Sequence, residues 1–313
     1  MSEREFLFTE ENAPSPSCHA STLAAAEDGT LVCAWFGGTR EGADDVEIWL
    51  SRREAGGWMP AVRVSCEPGP HWNPVLFPMD GGLGLFYKAG KPIAAWRTVF
   101  RFSKDGGQSW SAPRELVPGD AGGRGPVKNK PIRLADGAIL APASCEGLAG
   151  DFKWRAFADR SEDEGRTWTR SAYFGADANL IQPTLWESAP GRVHALLRSD
   201  AGRIYRADSE DGGRSWQPAR PSAMPNNNSG LDAAYDGRRL WLCCNPVAEN
   251  WGPRSPLTLF VSEDNGGTFA PVCELENDKL GEYSYPAVIC RDKTLFVSYT
   301  WRRERIAFRS FRV

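Results

Sequence analysis

Short apolar runs recur along this chain in a repeating order, and no stretch holds the spacing of an amphipathic helix over ten positions. Leu83-Gly-Leu-Phe-Tyr87 and Ala94-Ala-Trp-Arg-Thr-Val-Phe100 precede a polar turn that begins at Ser103. Arg192-Val-His-Ala-Leu-Leu197 and Gly202-Arg-Ile-Tyr-Arg-Ala207 precede a similar turn at Ser209, and Leu240-Trp-Leu-Cys-Cys244 and Leu257-Thr-Leu-Phe-Val261 precede another at Ser262. Runs of this length, rich in β-branched and aromatic residues and punctuated by Asp and Gly, predict strands and hairpins and hence an all-β chain.

The turns are copies of one phrase: Ser103-Lys-Asp-Gly-Gly-Gln-Ser-Trp110, Ser161-Glu-Asp-Glu-Gly-Arg-Thr-Trp168, Ser209-Glu-Asp-Gly-Gly-Arg-Ser-Trp216 and Ser262-Glu-Asp-Asn-Gly-Gly-Thr-Phe269. A worn copy, Ser51-Arg-Arg-Glu-Ala-Gly-Gly-Trp58, lies one period earlier. A period near fifty residues is the signature of a radially repeated sheet fold, and 313 residues leave room for six blades. Because one blade cannot bury both of its faces, residues 1–313 are expected to form a single β-propeller domain. The last set of runs, Ala287-Val-Ile-Cys290, Thr294-Leu-Phe-Val-Ser-Tyr299 and Ile306-Ala-Phe-Arg-Ser-Phe311, is one strand short. The N-terminal run Glu5-Phe-Leu-Phe-Thr9 is expected to supply that outer strand and close the ring.

Lys and Arg number 37 against 40 Asp and Glu, so there is no global basic field to attract nucleic acid. No apolar stretch is long enough for a membrane span, and the opening residues lack the pattern of a secretory leader. The eight cysteines lack metal-ligand spacing and sit mostly in strand-like runs, so we expect free thiols and a cytoplasmic location. No dinucleotide or phosphate loop occurs, and neither a cofactor nor a catalytic metal is expected.

In a propeller the openings of the innermost strands converge at one mouth of the central channel. Six segments have that position: Cys18-His-Ala-Ser21, His71-Trp-Asn-Pro74, Val127-Lys-Asn-Lys-Pro131, Ile181-Gln-Pro-Thr184, Asn228-Ser-Gly-Leu-Asp232 and Glu282-Tyr-Ser-Tyr-Pro286. Asn, Ser and Pro suit strand-entry turns, but His71, Lys128, Lys130 and the paired tyrosines have no turn-forming role.

With these motifs the chain resembles the sialidase superfamily of BNR or Asp-box proteins, over nearly its whole length. The turn phrase matches the Asp box, Ser-x-Asp-x-Gly-x-Thr/Ser-Trp, and the resemblance implies a six-bladed β-propeller. It also implies a substrate carboxylate held by three arginines, a tyrosine nucleophile paired with a glutamate, and an aspartate acid/base. On that resemblance Arg198 is similar to the second arginine, Arg254 to the third, and Tyr283 in Glu282-Tyr-Ser284 to the nucleophile. The loop Arg40-Glu-Gly-Ala-Asp-Asp45 resembles the acid/base site, with Asp44 and Asp45 as candidates and Arg40 beside them. Two positions depart from the pattern: His19 stands where the first arginine belongs and Gln182 where the glutamate belongs.

Other residues add chemistry at the same mouth. Lys88, Lys128 and Lys130 supply positive charge for an acidic saccharide. His19 and His71 titrate near neutrality, and Asp232 and Glu146 are further carboxylates for proton transfer. Trp72, Trp154, Trp251 and Trp301 are candidates for sugar stacking. The leading expectation is a glycoside hydrolase acting on the non-reducing end of an acidic glycan. The alternatives are a uronic-acid lyase using His19 or His71 with Tyr283, a non-catalytic glycan-binding propeller, and a protein scaffold.

Overall fold

The computed structural model describes residues 3–147 and 153–313. Its strands form six antiparallel sheets arranged as the blades of a propeller. Blade one contains Ser17–Ala25, Leu31–Gly38 and Glu47–Glu54, with the short Gly57–Trp58 and Val62–Arg63 outside. Blade two runs from His71–Met79 through Gly82–Ala89 and Arg97–Ser103 to Arg114–Glu115. Blade three has Ile132–Arg133, Ile139–Glu146, Trp154–Ser161 and Thr169–Arg170, and blade four Leu180–Ala189, Arg192–Ser199, Arg203–Ser209 and Arg220–Pro225. Blade five has Asp232–Tyr235, Leu240–Cys244, Leu257–Ser262 and Ala270–Glu276. The run read as a strand from Ala94 starts instead at Arg97, after a single 3-10 turn at Ile93–Ala95.

Blade six is built from Tyr283–Arg291, Thr294–Trp301 and Arg305–Arg312, and its outermost strand is Glu5–Phe6. Glu5 pairs with Phe308 and Phe6 with Ala307. Arg4 adds an ion pair to Glu276 of blade five at 2.8 Å. The ring closes as the missing-strand argument requires.

The core is a set of seams between blades. Trp35, Phe8 and Phe308 fill the seam between blades six and one, and Leu50, Leu76 and Tyr87 that between one and two. Phe86 and Ile139 join blades two and three, Leu140 and Leu197 three and four, Leu196 and Leu242 four and five, and Leu259 and Val297 five and six.

The turn phrases lock these seams from the face opposite the mouth, since each follows the third strand of its blade. In blade two the Asp105 carboxylate accepts from the Ser103 hydroxyl at 2.7 Å and from the Ser109 amide at 2.8 Å. Asp163, Asp211 and Asp264 repeat the pattern. The closing rings of Trp110, Trp168, Trp216 and Phe269 each pack into the seam with the preceding blade. The worn copy keeps its aromatic in the same place, Trp58 against Phe308, while Ser51 donates to the Met59 carbonyl in the absence of an aspartate. All eight cysteines are free thiols, and no helix among the described residues is long and apolar enough to cross a membrane.

Candidate active site

One backbone device recurs at the mouth. Ala20, Asn73, Lys128, Gln182, Asn228 and Tyr285, one at the inner opening of every blade, have positive φ between 45° and 66°. Non-glycine residues seldom adopt this region, and a sixfold recurrence marks a constraint of the fold. In blades one, two, four and six the ladder slips there, between His19 and Thr22, Trp72 and Val75, Ile181 and Thr184, and Ser284 and Ala287. These are bulges, which re-aim a side chain, and Pro74, Pro183 and Pro286 follow three of them where no ladder N–H is needed.

The bulge in blade six sends Tyr285 across the mouth. Its hydroxyl accepts a hydrogen bond from the Arg198 guanidinium of blade four at 2.6 Å, and its ring lies 4.2 Å from that of His19 in blade one. Gly230 lies beneath: a Cβ there would come within 3.1 Å of the Tyr285 ring, so a larger residue would push the ring by a few tenths of an ångström.

Arg198 is buried and held on three sides. Its Nε donates to Asn228 Oδ1 at 2.6 Å and its Nη1 to Gln182 Oε1 at 3.2 Å, while Trp154 and Trp251 flank the guanidinium at 5.4 and 5.6 Å. Arg254 lies over the Tyr285 ring at 5.5 Å and donates to Glu282 Oε1 at 2.8 Å. The same oxygen accepts from Arg303 Nε at 2.7 Å, and Arg303 also pairs with Glu41 of the blade-one loop. Arg303 is in the turn after Trp301, and its carbonyl accepts from the Cys18 amide, so a third guanidinium stands beside His19 where the first arginine was missed.

Charge and burial set the protonation states. Burial, reinforced by Arg303, Arg254, Arg198 and Lys128, pulls His19 well below the ordinary histidine value, so its ring is neutral. Nδ1 is bonded to the Thr300 hydroxyl at 2.9 Å, and the buried Nε2 has no hydrogen-bond partner among the described residues. Burial raises Glu146; Arg198 opposes the shift and Glu41 adds to it. Glu146 lines a recess beside the mouth with Trp96 and Val127.

Several expected site residues have other positions. Tyr283 is turned into the seam between blades five and six beside Trp301, with its hydroxyl 3.4 Å from Asp278, so Tyr285 replaces it as the tyrosine of the mouth. Gln182 accordingly meets Arg198 and not Tyr283. Asp44 is exposed on the rim and pairs with Lys91 at 2.7 Å, and Arg40 is exposed beside it. Asp45 ties its own loop by accepting from the Thr39 amide at 3.0 Å and the Thr39 hydroxyl. The loop residue that reaches the arginines is Glu41.

His71 is fully buried between Glu47, at 3.0 Å, and Glu67, at 3.5 Å, away from the mouth. Lys88 needs acceptors for a buried ammonium and finds them in Thr98 and the carbonyls of Gly123, Arg124 and Gly125. Lys128 plugs the channel below Tyr285, donating to the Leu231 and Pro286 carbonyls, and burial pulls it down to about 7. The half-buried Lys130 pairs with the buried Asp232 at 2.9 Å; Asp232 also accepts from Thr184 and the Val288 amide, stitching blades three to six. Trp72 and Trp301 pack in the seams, leaving Trp154 and Trp251 at the mouth, the latter 63% exposed.

Arg198, Arg254, His19, Gln182 and Glu146 were named from the sequence and fall in or beside the mouth. Tyr285, Arg303, Glu282 and Glu41 were missed. Arg303 carried a signal: it follows the second strand of blade six as Arg198 ends the second strand of blade four.

Three guanidiniums and a tyrosine thus gather at the mouth of a propeller closed by its N-terminal strand. Residues 29–297 match the BNR repeat-like domain, and the chain belongs to that family. The fold is similar to that of the Hadza microbial sialidase Hz136, at 16% identity and a TM-score of 0.83 over 99% of this chain and 68% of that one. It is also similar to a Dyadobacter fermentans protein of unknown function, at 17% identity and 0.79 over 98% and 96%. For the Trypanosoma rangeli sialidase the figures are 15% and 0.77 over 98% of this chain, which spans 58% of that protein. No curated protein matches the chain.

Proposed function

We propose that this protein is a glycoside hydrolase that releases a carboxylate-bearing sugar from the non-reducing end of a glycan. The observation that carries this reading is the pair Arg198 and Arg254 on Tyr285, with Arg303 joined to Arg254 through Glu282. Guanidiniums bind carboxylates as planar forks, and a set with Arg198 buried and Arg254 and Arg303 half-buried favours an acidic sugar over a neutral one. Glu282 holds two of the three in place before substrate arrives. The similarity in fold to proteins titled sialidases supports the same reaction class.

In this reading Tyr285 meets the anomeric carbon. Its proton passes to His19, whose ring lies 4.2 Å from that of Tyr285, in place of the glutamate that Gln182 does not supply, while Arg198, which donates to the hydroxyl, stabilises the phenolate. Glu146, whose carboxyl burial raises above its ordinary range, gives its proton to the leaving oxygen as the glycosidic bond breaks; it then takes a proton from the water that displaces Tyr285, and the phenolate recovers its own from His19.

A second reading has one observation in its favour. Among the described residues no carboxylate is hydrogen-bonded to the Tyr285 hydroxyl, while Arg198, Gln182 and Asn228 form a set suited to neutralising a uronate beside a histidine and a tyrosine. That arrangement suits β-elimination. Turnover of sialyl and uronyl glycosides in ¹⁸O-water separates the two: hydrolysis places ¹⁸O in a saturated product, whereas a lyase gives an ultraviolet-absorbing product without label. Saturable binding with no product from any glycoside would refute both.

A further inference from the structure

A trench of about 640 Å³ runs outward from the mouth between blades three and four, within the roughly 300–1,000 Å³ range of ligand sites. Trp154 belongs to both: one side of the mouth is its ring against Arg198, and it also lines the trench. Farther out the walls carry Tyr173 and Tyr205, with Asp177, Asn179 and Asp200 between them. Tyr205 donates to Asp177 at 3.1 Å, and Asn179 donates to Asp200 at 2.6 Å while its side-chain oxygen accepts from the Trp154 amide at 3.0 Å. The trench wall is therefore tied by hydrogen bonds to the residue that flanks Arg198.

We infer that this trench binds the leaving-group side of the substrate as a chain of neutral sugars, so that the enzyme acts on an oligosaccharide and not on a simple glycoside. The inference rests on the hydrolase reading for its direction, because the acidic sugar fills the mouth and the remainder of the glycan must leave past Trp154. Aromatic rings offer faces to the C–H surfaces of sugars, and paired carboxylates and amides accept and donate to their hydroxyls. Lys153 and Arg155 stand with Asp177 and Asp200 along the same walls, so the trench has mixed charge and does not favour a polyanion. The acidic unit is selected at the mouth and the neutral ones along the trench.

The test fills the trench without touching the mouth. Ala176 is exposed on its wall, and Ala176→Trp places a bulky ring there. Turnover is compared on an aryl glycoside of the acidic sugar and on a tetrasaccharide ending in the same sugar. The parent protein is expected to favour the tetrasaccharide in kcat/KM by at least about tenfold, and Ala176→Trp to erase that preference while leaving the aryl glycoside within about twofold. Equal turnover of both substrates by the parent, or an unchanged preference in Ala176→Trp, overturns the trench and leaves the hydrolase reading intact. Should no glycoside turn over, calorimetric binding of the tetrasaccharide decides: weakening by about tenfold in Ala176→Trp supports the trench, and unchanged affinity overturns it.

Discussion

Tyr283 and Tyr285 are two residues apart on one strand, yet their rings lie in different parts of the propeller. Tyr283 fills the seam between blades five and six, and Tyr285 crosses the channel mouth to Arg198. On a regular strand both would face the same way. Tyr285 has a φ of 52° within the slip between Ser284 and Ala287, and that bulge separates the two rings.

The two tyrosines accordingly answer differently to loss of a hydroxyl. Tyr285→Phe is expected to lower kcat by about 10²–10⁴-fold, the range for removal of a proton-transferring group. Tyr283→Phe loses contacts to the exposed Asp278 and Arg302 and is expected to stay within about twofold of the parent. Steady-state kinetics on both variants checks this, and the reverse order would return the nucleophile to Tyr283.

Much of the fold was legible because its signals are local. The turn phrase needs only its own Ser, Asp and Gly to close, so four copies counted the blades, and the strand deficit after Ile306 announced closure by Glu5–Phe6. The site was less legible because it depends on bulges. The bulge after Ser284 is what sends position 285 into the mouth while 283 stays in the seam, and no pattern of apolar residues records it. Lys88, Lys128, Lys130 and Asp232 misled for another reason: charged residues near a channel suggested substrate, but burial requires partners, and these groups found theirs in carbonyls and in one another.

The pH response follows from two opposite shifts. His19 lies well below its ordinary 6.5, so below that value the unfolded chain binds a proton that the folded one refuses. Stability supplied by neutral His19 is thus full above pH 6.5 and declines as the pH falls. Glu146 lies above its ordinary 4.5, so its contribution is full below that value and is lost as the pH rises through its folded value. Activity needs neutral His19 and protonated Glu146, which predicts an acidic optimum. Glu146→Gln should remove the alkaline limb of kcat/KM, and a limb unchanged in that variant would assign the acid elsewhere.

Asp232 is a structural carboxylate in this account. Asp232→Ala takes the acceptor from the buried Val288 amide and Thr184 hydroxyl and leaves Lys130 with the Ala233 carbonyl, and is expected to cost about 1–3 kcal/mol of stability. Chemical denaturation measures the loss, and KM of the folded variant should be unchanged. A stable variant with a raised KM would place Asp232 in the substrate site.

Removal of residues 1–9 deletes the outer strand of blade six and the buried Leu7 and Phe8, each worth about 1.5–3 kcal/mol of burial. The truncated chain is expected to melt well below the full-length one in a single transition. A midpoint within about 2 °C would show that closure contributes little.

The central claim, that three guanidiniums select a carboxylate at this mouth, is tested most directly by one comparison. An acidic-sugar glycoside and its methyl ester are assayed with the parent protein and with Arg303→Ala. The account predicts that the parent prefers the free acid by at least about a hundredfold in kcat/KM, and that Arg303→Ala loses about 2–5 kcal/mol of that preference. Equal turnover of acid and ester by the parent, or a preference that survives in Arg303→Ala, would contradict it.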